Sequence, residues 1–237
     1  KKLPTDFVKI DSQKLEEIKS TGQYHAAMQM QEQGWKDACA LPYELQLKVR
    51  HTPTMLSISS TLERRLNTAK AGAGMPYYVI SYVAYDGHQA GKVWNFTVRE
   101  GDQLAYEWEL DKIVGEYISF ALHGPNGFYR AIEGAKSHIP AIDVYTKVVA
   151  GKPILCVQSE SLNWDLYLKD CSYDLFHAKA MRKDDPALVE IDCSKSEGWY
   201  DIEITCSEDH AVKFCYAGHI ETGKSSKTDP LMGKVKL

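Results

Sequence analysis

Strict alternation of apolar and polar side chains begins at residue 41 and governs the chain from there on. Tyr43, Leu45, Leu47 and Val49 alternate with Glu44, Gln46, Lys48 and Arg50, the pattern of a strand with one face buried and the other in water. The same reading predicts strands over 55–59, 77–85, 93–98, 104–110 and 116–122. Turn signals separate them: His51-Thr52-Pro53, Asp86-Gly87, Glu100-Gly101-Asp102 and Gly124-Pro125-Asn126-Gly127. Short strands with regular turns and almost no helix predict an all-β sandwich.

The rhythm restarts at Ile139-Pro140, with strands predicted over 143–149, 154–159, 164–169, 175–181, 188–192, 199–206 and 211–216. The two runs align without a gap when 93–117 is laid on 176–200, an offset of 83 residues (200 − 117 = 83). Arg99 then meets Arg182, Asp102 meets Asp185, Glu107 meets Glu190, Lys112 meets Lys195, Gly115 meets Gly198 and Tyr117 meets Tyr200. A glycine followed closely by an aromatic suits a tight turn that delivers a tyrosine into a strand. Leu41-Pro42 aligns with Ile139-Pro140 at a larger offset, which places about 15 extra residues in the first copy, around 67–76 and 86–91. Two tandem β-sandwich modules follow, with their junction near 134–139. The expected organisation is a connector over 1–40, modules over 41–137 and 138–223, and a polar tail over 224–237. In the connector, Asp11 is expected to cap a short helix through Lys19 that ends at Gly22.

Composition closes several functional classes. A formal charge of -4, from 28 basic and 32 acidic residues, gives no broad attraction for nucleic acid. No apolar run reaches the roughly 18 residues of a membrane-spanning helix, and no export-type apolar segment follows Lys1-Lys2-Leu3-Pro4. The six cysteines show no CxxC pair and the eight histidines no HExxH, so neither a metal site nor a cofactor is expected. Cysteine is a common core residue, and buried thiols are the expected state. The signature GxSxG of a serine nucleophile is missing, and Ala71-Gly72-Ala73-Gly74 lacks the third glycine and flanking elements of a dinucleotide fingerprint. Isolated acidic residues on alternating strands are expected on solvated faces.

Two stretches stand out. Pro125-Asn126-Gly127 fixes a tight turn and then presents Phe128, Tyr129 and Arg130 in a row. Arg130 can offer a planar fork to a carboxylate, or pair internally with Glu133 or Glu221. The segment from His219 through Glu221 to Asp229 is polar and turn-rich. Together Asn126, Phe128, Tyr129, Arg130, His219, Glu221 and Asp229 form the candidate docking or binding surface; no catalytic residue is expected.

Five blocks in one order carry a more specific message: Gln31-Glu32-Gln33-Gly34 with Ala40-Leu41-Pro42-Tyr43; Gly124 to Arg130; Gly198-Trp199-Tyr200-Asp201; Ala217 to Gly223; and Asp229-Pro230. In these the chain resembles the C-terminal part of bacterial phosphocholine-specific phospholipases C. The resemblance implies a larger exported enzyme, secreted or periplasmic. An N-terminal catalytic domain of the alkaline-phosphatase type would hold the metal and phosphate ligands and would be the partner of the β modules. A phospholipid surface is a second implied partner. Tyr129 departs from the family, which has an aliphatic residue or Phe there, and the cysteine content is high. The competing reading is a freestanding glycan- or membrane-binding module that uses Trp94, Trp164 and Trp199.

Overall fold

A computed structural model describes residues 11–21, 36–65, 74–137, 139–159, 164–182, 188–207 and 212–231. Two compact units emerge, one of 1–35 with 229–237 and the other of 36–228. In the smaller unit, helix α1 (Ser12–Thr21) starts as expected: the Asp11 carboxylate accepts from Lys14 N at 2.8 Å, which satisfies one of the open donors of the first turn. Gly22, the expected stop, lies outside the described residues.

The larger unit contains the same seven-strand set twice. The first set is β2 (Tyr43–His51), β3 (Met55–Arg64), β4 (Gly74–Ser81), β5 (Lys92–Arg99), β6 (Gln103–Glu109), β7 (Tyr117–His123) and β8 (Tyr129–Ala135). The second is β9 (Asp143–Val149), β10 (Lys152–Gln158), β11 (Leu166–Asp170), β12 (Lys179–Met181), β13 (Val189–Asp192), β14 (Trp199–Cys206) and β15 (Lys213–His219). The sheets correspond strand for strand: β2-β3-β6 matches β9-β10-β13, and β5-β4-β7-β8 matches β12-β11-β14-β15. Each set is an antiparallel sandwich of a three-stranded and a four-stranded sheet.

The halves do not stand apart. Edge strand β8 pairs antiparallel with edge strand β15, Ile132 opposite Phe214 and Arg130 opposite Tyr216, so the two four-stranded sheets fuse into one of eight. An unpaired edge is a template for aggregation, and here each half covers the other's. The buried apolar side chains form one contiguous cluster through both halves. A two-stranded ribbon, β1 (Asp37–Ala38) with β16 (Ser226–Lys227), ties the end of the connector to the tail.

The repeat is visible in the core. At the 83-residue offset Val98 meets Met181, Trp108 meets Ile191 and Leu110 meets Cys193, all buried. The match fails at Tyr117, which is 38% exposed, whereas Tyr200 is fully buried; the first core-facing residue of β7 is Ile118. One residue more follows Gly115 than follows Gly198 before the strand turns inward, and a one-residue slip reverses the face. The strand expected over 175–181 shortens to 179–181, because the preceding segment turns around Asp170, whose carboxylate accepts from Ser172 N and Tyr173 N.

The expectation of a solvated polar face on β2 also fails. Glu44 and Gln46 are buried along with Leu45 and Leu47, because the second half lies against the face that alternation assigns to water. Gln46 Nε2 donates to Thr146 O and Oγ1 at 3.0 and 2.9 Å, and its Oε1 accepts from Thr146 N at 3.2 Å. A buried amide satisfied on both ends can substitute for the absent ladder between β2 and β9.

Candidate functional site

The hairpin between β7 and β8 turns on Asn126 and Gly127, both left-handed at φ 55° and 72°, with Phe128 N donating to Pro125 O at 3.2 Å. This is the Asn-Gly turn that matches the twist of its flanking strands. Gly127 serves a second purpose: a Cβ there would stand 3.1 Å from the Trp199 ring of the second half. Gly218 on β15 is equally tight, since a Cβ there would stand 2.9 Å from the Tyr200 hydroxyl and 3.6 Å from the Phe128 backbone of the first half.

Arg130 does not present its fork to solvent. Buried on β8, it donates from Nη1 to Tyr129 O and Ala217 O, both at 2.7 Å, and from Nη2 to Tyr200 Oη at 2.6 Å. The guanidinium lies 4.0 Å from the Phe128 ring centre, with the Tyr200 and Tyr216 rings at 5.4 and 5.3 Å. Aromatic faces and carbonyls replace the carboxylate that a buried cation commonly takes. Neither internal partner considered from sequence is used: Glu133 pairs with Lys213, and Glu221 is engaged elsewhere.

Glu221 is the knot of the site. Its Oε1 accepts from Asn126 Nδ2 at 3.0 Å and lies 2.9 Å from His219 Nδ1; its Oε2 accepts from Leu41 N at 3.0 Å. His219 Nε2 lies 3.0 Å from Glu197 O, so both ring nitrogens face acceptors, and both contacts are hydrogen bonds when the ring carries two protons. Beside them Glu44 Oε2 accepts from Glu221 N at 2.7 Å. Burial, the dominant influence, pushes the Glu44 carboxyl up to about 7 despite that bond and the nearby Arg65. Burial likewise raises the Tyr200 hydroxyl to about 12.

Six of the seven candidate residues thus lie in the larger unit. Phe128, Arg130, His219 and Glu221 are buried, Tyr129 is half-buried and Asn126 is exposed but bonded to Glu221. Asp229 belongs to the smaller unit, where its carboxylate accepts from Leu231 N at 2.8 Å. The surface expected to face an external partner is therefore largely an internal clasp: the hairpin of the first half grips Trp199, Tyr200 and β15 of the second. Sequence reading missed Glu44, Gln46, Thr146 and Tyr200 as parts of this junction. Only Tyr200 left a signal, in the Gly198-Trp199-Tyr200 block.

The tryptophans of the competing reading are not solvent-facing platforms: Trp164 is half-buried and packs against the core. Trp199 is buried and donates from Nε1 to Lys227 O at 3.0 Å, and Trp94 packs edge-on to Trp108 and Tyr85. All six cysteines are free; Cys156, Cys193 and Cys206 are buried, and burial raises the Cys193 thiol to about 12. Among the described residues no three His, Cys, Asp or Glu side chains gather as a metal site, and no helix is long and apolar enough to cross a membrane.

Comparison with known proteins gives a consistent answer. Residues 38–135 match the family model described as bacterial phospholipase C, C-terminal domain. A non-hemolytic phospholipase C of Burkholderia pseudomallei is 26% identical over 219 residues, 87% of this chain and 29% of the relative. A hemolytic phospholipase C of Pseudomonas aeruginosa is 26% identical over 234 residues, 85% of this chain and 30% of the relative. A non-hemolytic phospholipase C of the same organism is 27% identical over 219 residues, 88% of this chain and 30% of the relative. The chain spans under a third of the length of these relatives. Red sea bream transglutaminase is matched over 88% of this chain and 34% of its own, at a TM-score of 0.22 and 14% identity, too low to bear on the fold. The clasp hairpin and the first sandwich fall inside the matched family segment, the similarity runs on through the second half, and the chain is similar along most of its length to the C-terminal region of bacterial phospholipases C.

Proposed function

We propose that this chain is the non-catalytic accessory region of an exported phospholipase C that cleaves phosphocholine lipids, with phosphodiester hydrolysis carried by a separate N-terminal domain of the alkaline-phosphatase type. The units 41–137 and 138–223 then act as two copies of one module that stabilise that domain or bring it to its substrate. The observation that supports this reading is the state of the chemically able side chains at the clasp. Arg130, His219 and Glu221 are held by internal partners on every contact described above, which suits a structural joint better than a reaction centre. A general base needs a nitrogen or oxygen facing substrate, and His219 has both nitrogens on acceptors.

The test is direct. Purified residues 1–237 should release no phosphocholine from phosphatidylcholine or sphingomyelin and should not hydrolyse p-nitrophenylphosphorylcholine, whereas the full-length gene product should do both. Turnover that follows the isolated chain through successive columns would sink the reading.

A further inference from the structure

The outward faces of the two kinds of sheet differ. On the three-stranded sheet of the first half, β3 turns Ser57, Ser59, Thr61 and Glu63 outward, a polar row whose Thr61 and Glu63 stand opposite Gln46 and Glu44 beside the second half. On the four-stranded sheet the outward positions of β4, β7 and β8 are Tyr78, Ile80, Ala121, His123, Tyr129 and Ala131, and their neighbours Tyr77, Val79, Phe120 and Ile132 point into the core. Tyr78, His123 and Tyr129 stand directly opposite one another across three strands. Tyr78 stacks on His123 at 5.0 Å and 14°, and His123 meets Tyr129 at 4.9 Å. The next row is Ile80, Ala121 and Ala131, and Val93 opposite Ile80 extends it. A depression of about 370 Å³ lined by Pro76, Asn95, Thr97 and Pro125 adjoins the aromatic row, beside the clasp hairpin. Val93 is 47% exposed, Tyr82 52% and Tyr78 39%.

A row of stacked aromatics edged by the exposed Tyr78, Tyr82 and Val93, with the small buried Ala121 and Ala131 in the next row, is the composition of an interface core and not of a solvated sheet. We infer that this face receives the rest of the parent polypeptide: the catalytic domain packs on the outer surface of β4, β7 and β8. The inference rests on the reading of this chain as part of a larger phospholipase. Its occupant follows from length, since the matched part is 29–30% of each relative and about 70% of each lies outside it. A lipid bilayer fits the face less well. The protruding groups are tyrosines and a histidine on a sheet, and the same outer surface continues in mixed charge, with Glu133 paired to Lys213 and Lys169 opposite Glu203, and not in the basic face of a membrane-surface element.

Hydroxyl-radical footprinting on the full-length enzyme and on residues 1–237 tests this, with Tyr106 on β6, also 39% exposed, as the internal control. Labelling of Tyr78 and Tyr129 should fall about tenfold in the full-length enzyme, as for side chains buried in a stable interface, while Tyr106 is unchanged. Equal labelling in both would overturn the docking face. So would shielding that is already present in the isolated chain and grows with its concentration, which would assign the face to a second copy. Shielding that arises only on adding phosphatidylcholine vesicles would assign it to membrane and also overturn the inference. Failure of the underlying reading is distinct, because it shows as turnover by residues 1–237 or as a full-length product without phospholipase activity.

Discussion

The two halves share strand order and sheet partition yet fill their cores with different chemistry. In the first, Trp94, Phe96, Tyr106, Trp108 and Phe120 form a ring cluster, with Trp108 4.6 Å from Tyr106 and 5.6 Å from both Trp94 and Phe120. Trp108 Nε1 is a buried donor without a hydrogen-bond partner among the described residues. In the second, that cluster has no counterpart: Ile191 stands where Trp108 stands, Val189 where Tyr106 stands and Cys193 where Leu110 stands, His177 and Lys179 take the places of Trp94 and Phe96 outside the core, and Ile202, Ile204 and Cys206 line β14. The strands scale with their contents, since β5 and β6 have 8 and 7 residues where β12 and β13 have 3 and 4. Topology therefore follows from the alternation and the turns, and volume can be redistributed within it. What the halves have in common beyond topology is the edge each gives the other.

Separating them breaks the comparison most severely. With the chain divided after Ser137 and each part expressed alone, β8 and β15 become open edges and Arg130 loses Ala217 O and Tyr200 Oη. Neither part should show a cooperative unfolding transition, a loss comparable to the whole stability of a small domain, about 5 kcal/mol or more. Two well-behaved fragments, each with a sharp melt, would mean that the shared sheet is a convenience and not a condition of folding.

Core truncation sharpens the contrast between aromatic and aliphatic filling. Trp108→Ala should cost about 3–5 kcal/mol and Ile191→Ala about 2–4 kcal/mol, both as shifts of one transition in urea. Two resolved transitions, each sensitive to one variant, would show that the cores unfold independently.

At the junction, Arg130→Met keeps the apolar stem against Phe128 but strips donors from two carbonyls and a tyrosine hydroxyl. A loss of about 3 kcal/mol is expected in the isolated chain. An unchanged melting temperature would restore the view of Arg130 as a surface fork for an outside partner.

The smallest effect is a pH dependence at the junction, centred on Glu44 of the first half. Glu44 is raised from 4.5 to about 7 when folded, so the stability its protonated form gives is fully present below about pH 4.5 and is lost as pH rises through 7. Glu44→Gln keeps an oxygen to accept from Glu221 N and removes the titration. The variant should gain on wild type by about 2–3 kcal/mol between pH 4.5 and pH 8. Parallel urea midpoints for the two proteins across that range would show that Glu44 does not carry its charge change in the fold.

Much of this architecture was legible in the residues. The period of two located most strands, Asp11 marked the helix start, and the Pro-Asn-Gly turn formed as its chemistry requires. The offset of 83 residues found true core equivalents at Val98, Trp108 and Leu110. These are local or repeated features, set by which side chains can share a face and which backbone angles a residue tolerates. Tertiary structure decided what covers the other face. Alternation made Glu44 and Gln46 solvent residues, and only the arrival of β9 buried them. Turn chemistry placed Arg130 at a hairpin mouth, and only the β8–β15 ladder turned its fork inward onto Ala217 and Tyr200. The same ladder left Tyr78, His123 and Tyr129 facing out together, because residues 78, 123 and 129 become neighbours only when β4, β7 and β8 pair in register. Pairing between distant strands is not written in any local pattern, and every part of the site that sequence reading missed depends on it.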